Sequence, residues 1–250
     1  MCAELVVFLT EKGNKLFFCL QVTLNQCGDY AMLTNDMATT TTKKGDTKAI
    51  LPHEGITLRI RGGKSLFGEV AAQGAKNSAT KLLVATLLTG ERSVLHNVPA
   101  IDDVRVVFEM IRAIGGGVED LGNGSYAIET KTPHLIPHRQ LKMIGGKSRI
   151  PILFAAPLLH RLREAMVPEL GGCNIGTRPV DFHVQALEAM GATVTKLEKG
   201  MKFTAEKLRG VKIALPYPSV GATEQALLAA SLAEGVTEIT NAAIEPEVIE

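Results

Sequence analysis

The chain changes rhythm near residue 56. "ITLRIRGGKSLFGEVAAQG" alternates apolar and polar positions, which predicts two strands joined by a glycine turn. "NSATKLLVATLLTGE" follows with helical spacing and predicts a buried helix with Asn77 or Ser78 near its N-cap. "RSVLHNV" predicts a short strand. "IDDVRVVFEMIRAIGGG" predicts an amphipathic helix, with acids in its first turn and glycines past its end. "GVEDLGNGSYAIET" closes the run as a hairpin across a Gly-Asn-Gly turn.

That order returns further along. "GATEQALLAASLAEGVTEITNAAIEPEV" aligns without gaps to "NSATKLLVATLLTGERSVLHNVPAIDDV", and "LEAMGATV" aligns to "IRAIGGGV". The pattern predicts an α/β (α+β) chain of repeated β-α-β-α-β-β units, at about 69–130, 138–206 and 210–250. Three such units would bury their helices together and lay their sheets outside. The last unit stops after "EPEVIE", before its second helix and hairpin, so the domain is expected to be incomplete at its C-terminus.

Residues 1–52 do not follow the repeat. "KLFFCLQVTL" reads as a strand without a clear partner, and "MATTTTKKGDTKAILP" reads as a polar linker. The segment is either an extension of unknown role, ahead of a domain over 53–250, or the product of an early start codon, with Met32 or Met37 the true start.

Charge adds little. A formal net charge of +1 gives no bulk attraction to nucleic acid or membrane surfaces. No apolar run approaches the roughly 18 residues of a membrane span. The start "MCAELVVFL" lacks the basic residues of a signal peptide, so a cytoplasmic protein is expected. The cysteines Cys2, Cys19, Cys27 and Cys173 form no CxxC pair and no cluster with zinc spacing, so no metal site is expected. "GGKS" occurs at 62–65 and at 145–148, but Leu58 and Leu141 stand where a P-loop needs glycine.

Candidate chemistry gathers at the helix starts. In "LGGCNIGTRPVDFH", Cys173 aligns with Asn97 and Asn241 of the other units, and the interval from Arg149 is longer than its counterparts. An enlarged glycine loop suits a functional thiol, with Arg178 and a helix start favouring thiolate; the alternative is a buried, inert cysteine. Lys76 and Asn77 precede one helix, Arg149 precedes its counterpart, and Ser219 with Val220 and Gly221 opens the third. Free N–H groups at three related helix starts would converge as an anion site. The alternative for Lys76 is a solvated lysine beside an asparagine cap. His183 reads as a helix-surface or capping residue in preference to a base, and Glu245 with Glu247 as a solvated helix start.

Together, "GAKNSATKLL", "NVPAIDDV", "LGGCNIGTRPVDFH", "PSVGATE" and "NAAIEPEV" resemble the UDP-N-acetylglucosamine 1-carboxyvinyltransferase branch of the enolpyruvyl transferases, over about residues 56–250. The 5-enolpyruvylshikimate-3-phosphate synthase branch shares the repeated fold but lacks this cysteine loop. The resemblance implies an inverted α/β barrel domain, and transfer of the enolpyruvyl group of phosphoenolpyruvate to the 3-hydroxyl of UDP-N-acetylglucosamine in peptidoglycan synthesis. It implies no metal or cofactor.

By the same resemblance, Cys173 is a proton donor on a mobile loop and the thiol that fosfomycin alkylates. Lys76 contacts phosphoenolpyruvate and Asn77 the sugar. Arg149 and Arg178 hold anionic groups. Arg178, Pro179, Val180, Asp181 and Phe182, with Ser219, Val220 and Gly221, line the UDP site. The aspartate base belongs to a C-terminal half that this chain lacks, so the chain alone is expected to be inactive. Two departures stand out: Leu170 replaces the usual proline, and Ile150-Pro151 follows Arg149 where Ala-Ser is usual. Alternative readings are a non-catalytic UDP-sugar-binding fragment, or a transferase for another acceptor such as shikimate 3-phosphate.

Overall fold

A computed structural model describes residues 4–11, 16–23, 67–70, 72–146, 148–171 and 180–249. The expected linker, the first of the two strands expected after residue 56, and Cys173, Arg178 and Pro179 lie outside these residues. The chain divides into two units, Met1–Ala72 and Gln73–Glu250. In the first, β1 (Glu4–Glu11) pairs antiparallel with β2 (Leu16–Thr23), Val7 opposite Leu20. The strand read in "KLFFCLQVTL" therefore has a partner, the apolar run just before it. The second strand expected after residue 56 is absent from the described residues: 67–70 carry no strand, and its apolar positions Phe67 and Val70 are 95% and 63% exposed.

In the second unit, local sequence rules set most elements. Helix α1 (Lys76–Ala85) runs into a 3-10 turn at 86–88. It starts one residue before Asn77; Ala75 holds the N-cap position and no side chain caps it. Strand β3 (Ser93–Leu95) leads to α2 (Asp102–Ala113). On α2, Val104, Val107, Phe108 and Ile111 form one buried stripe, while Asp102 and Asp103 sit at the positive end of the helix dipole. Strands β4 (Gly117–Gly122) and β5 (Ser125–Glu129) turn through Asn123 and Gly124, both left-handed at φ 51 and 70. Tight hairpins need that conformation because it matches the strand twist. The sheet order is β3-β5-β4, antiparallel throughout.

Helix α3 (His138–Gly145), which the sequence pattern did not predict, packs against α2. A 3-10 segment (Ile150–Phe154) continues into α4 (Ala155–Leu162). Strand β6 (Glu164–Pro168) precedes helix α5 (Asp181–Ala189), and β6 joins strands β7 (Thr193–Leu197) and β8 (Gly200–Thr204) in a second antiparallel sheet, ordered β6-β8-β7. Strand β9 (Lys212–Ala214) and β10 (Glu238–Thr240) are parallel, with α6 (Val220–Ala230) as the crossover that such a pair requires. The short α7 (Pro246–Ile249) follows.

The core lies where α1, α4 and α6 meet. Leu83, Val84, Phe154, Ala155, Ala156, Ala222, Ala226 and Ala229 are at most 1% exposed. The alanines of α4 and α6 let their backbones approach, and Ile128 of β5 and Phe203 of β8 close the core from the sheets. Leu83 and Phe203 each contribute roughly 1.5–3 kcal/mol by leaving water. Gln225 is also fully buried. In the amide orientation that satisfies both ends, it donates to Ile152 O (3.1 Å) and accepts from Ala156 N–H (3.3 Å). The architecture is mixed α/β. Among the described residues no helix is long and apolar enough to cross a membrane, and no group of His, Cys, Asp and Glu could hold a metal ion.

Candidate functional site

Three helix starts face one cleft of ≈ 420 Å³. From α1 come Asn77 and Lys81; from the 3-10 segment, Arg149, Ile150, Ile152 and Leu153; from α6, Ser219, Val220, Gly221 and Glu224. His183 of α5 and Tyr217, just before α6, complete the lining. Of the residues singled out in the sequence, Asn77, Arg149, Ser219, Val220 and Gly221 therefore come together.

Each start is built by short-range polar contacts. Ser219 Oγ caps α6 by accepting from Ala222 N–H at 3.4 Å. Ser148 Oγ accepts from Ile150 N–H (3.2 Å) and donates to Asp103 Oδ1 (3.1 Å). Asp103 also pairs with Lys76. One carboxylate thus fastens the starts of α1, α2 and the 3-10 segment to one another. Lys76, 64% exposed, is held by that pair and does not line the cleft. Asn77 Nδ2 donates to Glu247 Oε1 at 3.1 Å, tying α1 to α7. Asn77 thus reaches across to another helix and does not cap its own. Gly74, just before α1, approaches Asn97 O so closely that a Cβ there would clash with it.

His183 corrects the expectation of a surface or capping residue. Its imidazole is buried on the cleft wall, and Nδ1 has no hydrogen-bond partner among the described residues. Burial, and then the Arg149 guanidinium, push its pKa down to about 4, so the ring is neutral near pH 7. Gly221 makes room for it: a Cβ there would lie 3.0 Å from Cε1 and Nε2. Beside it, Phe182 meets Tyr217 edge-on, with ring centroids 5.3 Å apart.

Val180 and Asp181 stand at the N-terminus of α5 but line a separate groove with Val184, Gln185 and Glu188. Glu245 and Glu247 flank the start of α7, and Glu247 is also the partner of Asn77.

The sequence reading missed Lys81 and Glu224. Lys81 Nζ lies 3.2 Å from Glu224 Oε1, with the side chains 18% and 5% exposed. Burial raises the Glu224 pKa, Lys81 opposes that rise, and Glu247 and Glu245 add to it. The signal was present as a lysine and a Glu-Gln step inside otherwise apolar helices. It is ambiguous by itself, because buried charge becomes visible only once two helices are known to pack.

Residues 60–250 match the family model EPSP synthase (3-phosphoshikimate 1-carboxyvinyltransferase). A UDP-N-acetylglucosamine 1-carboxyvinyltransferase of Gluconobacter oxydans is 49% identical over 192 residues, covering 76% of this chain and 45% of the relative. One of Protochlamydia amoebophila is 47% identical over 204 residues, covering 77% of this chain and 43% of the relative. The chain thus spans less than half the length of these curated relatives. Among solved structures, the enolpyruvyl transferase NikO from Streptomyces tendae superposes with a TM-score of 0.63 at 20% identity. That match covers 75% of this chain and 44% of NikO, and it speaks to the fold. With a family model matched from residue 60 to the last residue, the chain belongs to the EPSP synthase (3-phosphoshikimate 1-carboxyvinyltransferase) family.

Proposed function

We propose that this chain is the nucleotide-sugar-binding part of a UDP-N-acetylglucosamine 1-carboxyvinyltransferase. The whole enzyme would move the enolpyruvyl group of phosphoenolpyruvate to the 3-hydroxyl of UDP-N-acetylglucosamine, releasing phosphate, in peptidoglycan synthesis. One observation carries the binding reading: Arg149 and the starts of three helices face a single cleft. Positive helix ends, with the Val220 and Gly221 N–H groups at the start of α6, and a guanidinium favour a pyrophosphate. The names of the 49% and 47% identical relatives support the acceptor. In architecture, the two antiparallel sheets with matching strand order support three repeated units around a shared helical core, the inverted barrel of this family.

In this reading Ser219, Val220 and Gly221 hold the pyrophosphate, Phe182 and Tyr217 flank the base, and Asn77 reaches the sugar. Lys76 turns from Asp103 to phosphoenolpyruvate. Cys173 donates the proton to the enolpyruvyl methylene, and Arg178 adds positive charge. The base for the sugar hydroxyl belongs to the part of the relatives that this chain does not span. The polypeptide is therefore expected to bind its acceptor but not to turn over. Phosphate release from phosphoenolpyruvate by the purified chain with UDP-N-acetylglucosamine would contradict that.

A second reading, with shikimate 3-phosphate as acceptor, is favoured by the description of the matched family model. Calorimetric titration of the chain with each acceptor decides between them. Binding of UDP-N-acetylglucosamine with no heat from shikimate 3-phosphate is expected; the reverse preference would overturn the proposal.

A further inference from the structure

The cleft is not uniformly cationic. Arg149 and the helix starts make one side positive, but on the side of α1 and α7 the Glu224 carboxylate feels Glu247 and Glu245 as well as Lys81. Glu224 is the buried member. Its side chain is 5% exposed and lines the cleft, and Oε1 faces the Lys81 ammonium at 3.2 Å. Oε2 has no hydrogen-bond partner among the described residues. An acceptor sealed from water without a donor is costly unless a ligand supplies one.

We propose that Glu224, held by Lys81, is a specificity-determining residue of the cleft that accepts a hydrogen bond from a hydroxyl or amide N–H on the hexose of a nucleotide sugar. The inference rests on the reading that the cleft takes UDP-N-acetylglucosamine, and it assigns a role within that site. The class of ligand group follows from charge. A carboxylate flanked by two others repels phosphate, so what reaches it is a neutral donor. The side of the ligand follows from the fold. The aromatic pair Phe182–Tyr217 comes from α5 and the segment before α6, and a planar base suits it. Lys81, Asn77 and Glu247 come from α1 and α7, so the polar, non-planar portion of the ligand falls beside Glu224.

The test compares two ligands on the full chain by calorimetry. The variants are Glu224→Gln, and Lys81→Met with Glu224→Leu, which removes both charges together and leaves no unpaired ammonium. The double variant is expected to weaken UDP-N-acetylglucosamine about tenfold or more, as for loss of a charged hydrogen bond. Its affinity for UDP, which lacks the hexose, should stay within about twofold, because the pyrophosphate contacts remain. Glu224→Gln keeps the shape and one acceptor, and should give a smaller loss confined to the same ligand. It carries the test if melting shows the double variant unfolded. Equal weakening of both ligands, or of neither, would overturn the assignment. If the unsubstituted chain binds neither ligand, the nucleotide-sugar reading itself fails, and this inference with it.

Discussion

At the scale of single residues, His183 and Gly221 are fitted to each other, and two predictions follow from the fit. A methyl group at position 221 would lie 3.0 Å from the buried imidazole, closer than ordinary contact. Gly221→Ala should therefore cost ~1–3 kcal/mol by overpacking, read from urea unfolding, and should weaken ligand binding as the start of α6 shifts. The second prediction concerns pH. The folded chain holds His183 at about 4, below its ordinary 6.5. Between those values the unfolded chain binds a proton that the folded one refuses. The stabilising contribution of neutral His183 is thus whole above about pH 6.5 and is lost as pH falls toward about 4, on the order of 3 kcal/mol in full. Glu224 works in the opposite sense, because its raised pKa weakens the fold as pH rises past the unfolded value of 4.5. The difference between the native chain and His183→Gln isolates the histidine. That native-minus-variant difference in unfolding free energy should shrink from pH 7 to pH 5, and a difference that does not change with pH would contradict the assignment.

At the scale of elements, Arg161 of α4 is the main polar fastener between the first sheet and the central helices. Its Nη1 donates to Leu87 O (3.1 Å) and Thr89 O (2.7 Å), and its Nη2 to Thr130 O (3.0 Å) and Lys131 O (2.9 Å). A planar fork with several donors suits four converging carbonyls, and lysine cannot reproduce it. Arg161→Lys should cost ~2–3 kcal/mol in chemical denaturation, with little effect on ligand affinity. Local rules made many elements legible in the sequence. The acid-led α2, the Asn123-Gly124 turn and the strand–helix order after residue 90 each follow from capping, turn chemistry or period. The starts of α1 and α3 did not yield to them. Ala75 caps nothing, and Asn77 spends its amide on Glu247 far along the chain, which no local pattern encodes. Likewise β2 found its partner only as a pairing with β1. Within the candidate site, Arg149 and Ser219–Gly221 were legible as residues at expected helix starts, and the structure places them on one cleft. Lys81 and Glu224 were not, because only tertiary packing turns a helical lysine and glutamate into a buried pair.

In the whole molecule, one helical core both buries apolar surface and shapes the candidate cleft. The contacts that bury α1, α6 and the 3-10 segment leading into α4 also bring the starts of these three elements to one cleft, and Asp103 with Ser148 locks two of those starts in register. Asp103→Ala should release Lys76 and loosen the 3-10 start, weakening ligand binding more than it lowers stability. Comparing calorimetric affinity with the urea midpoint checks that balance. The proposed place of the ligand phosphates is against these converging helix starts. It is tested most directly by amide chemical-shift mapping of isotope-labelled chain titrated with UDP-N-acetylglucosamine. Saturable shifts are expected at Ile150, Val220, Gly221 and Ala222. Shifts confined to the groove along α5 near Gln185 and Glu188, or none at saturating ligand, would contradict it.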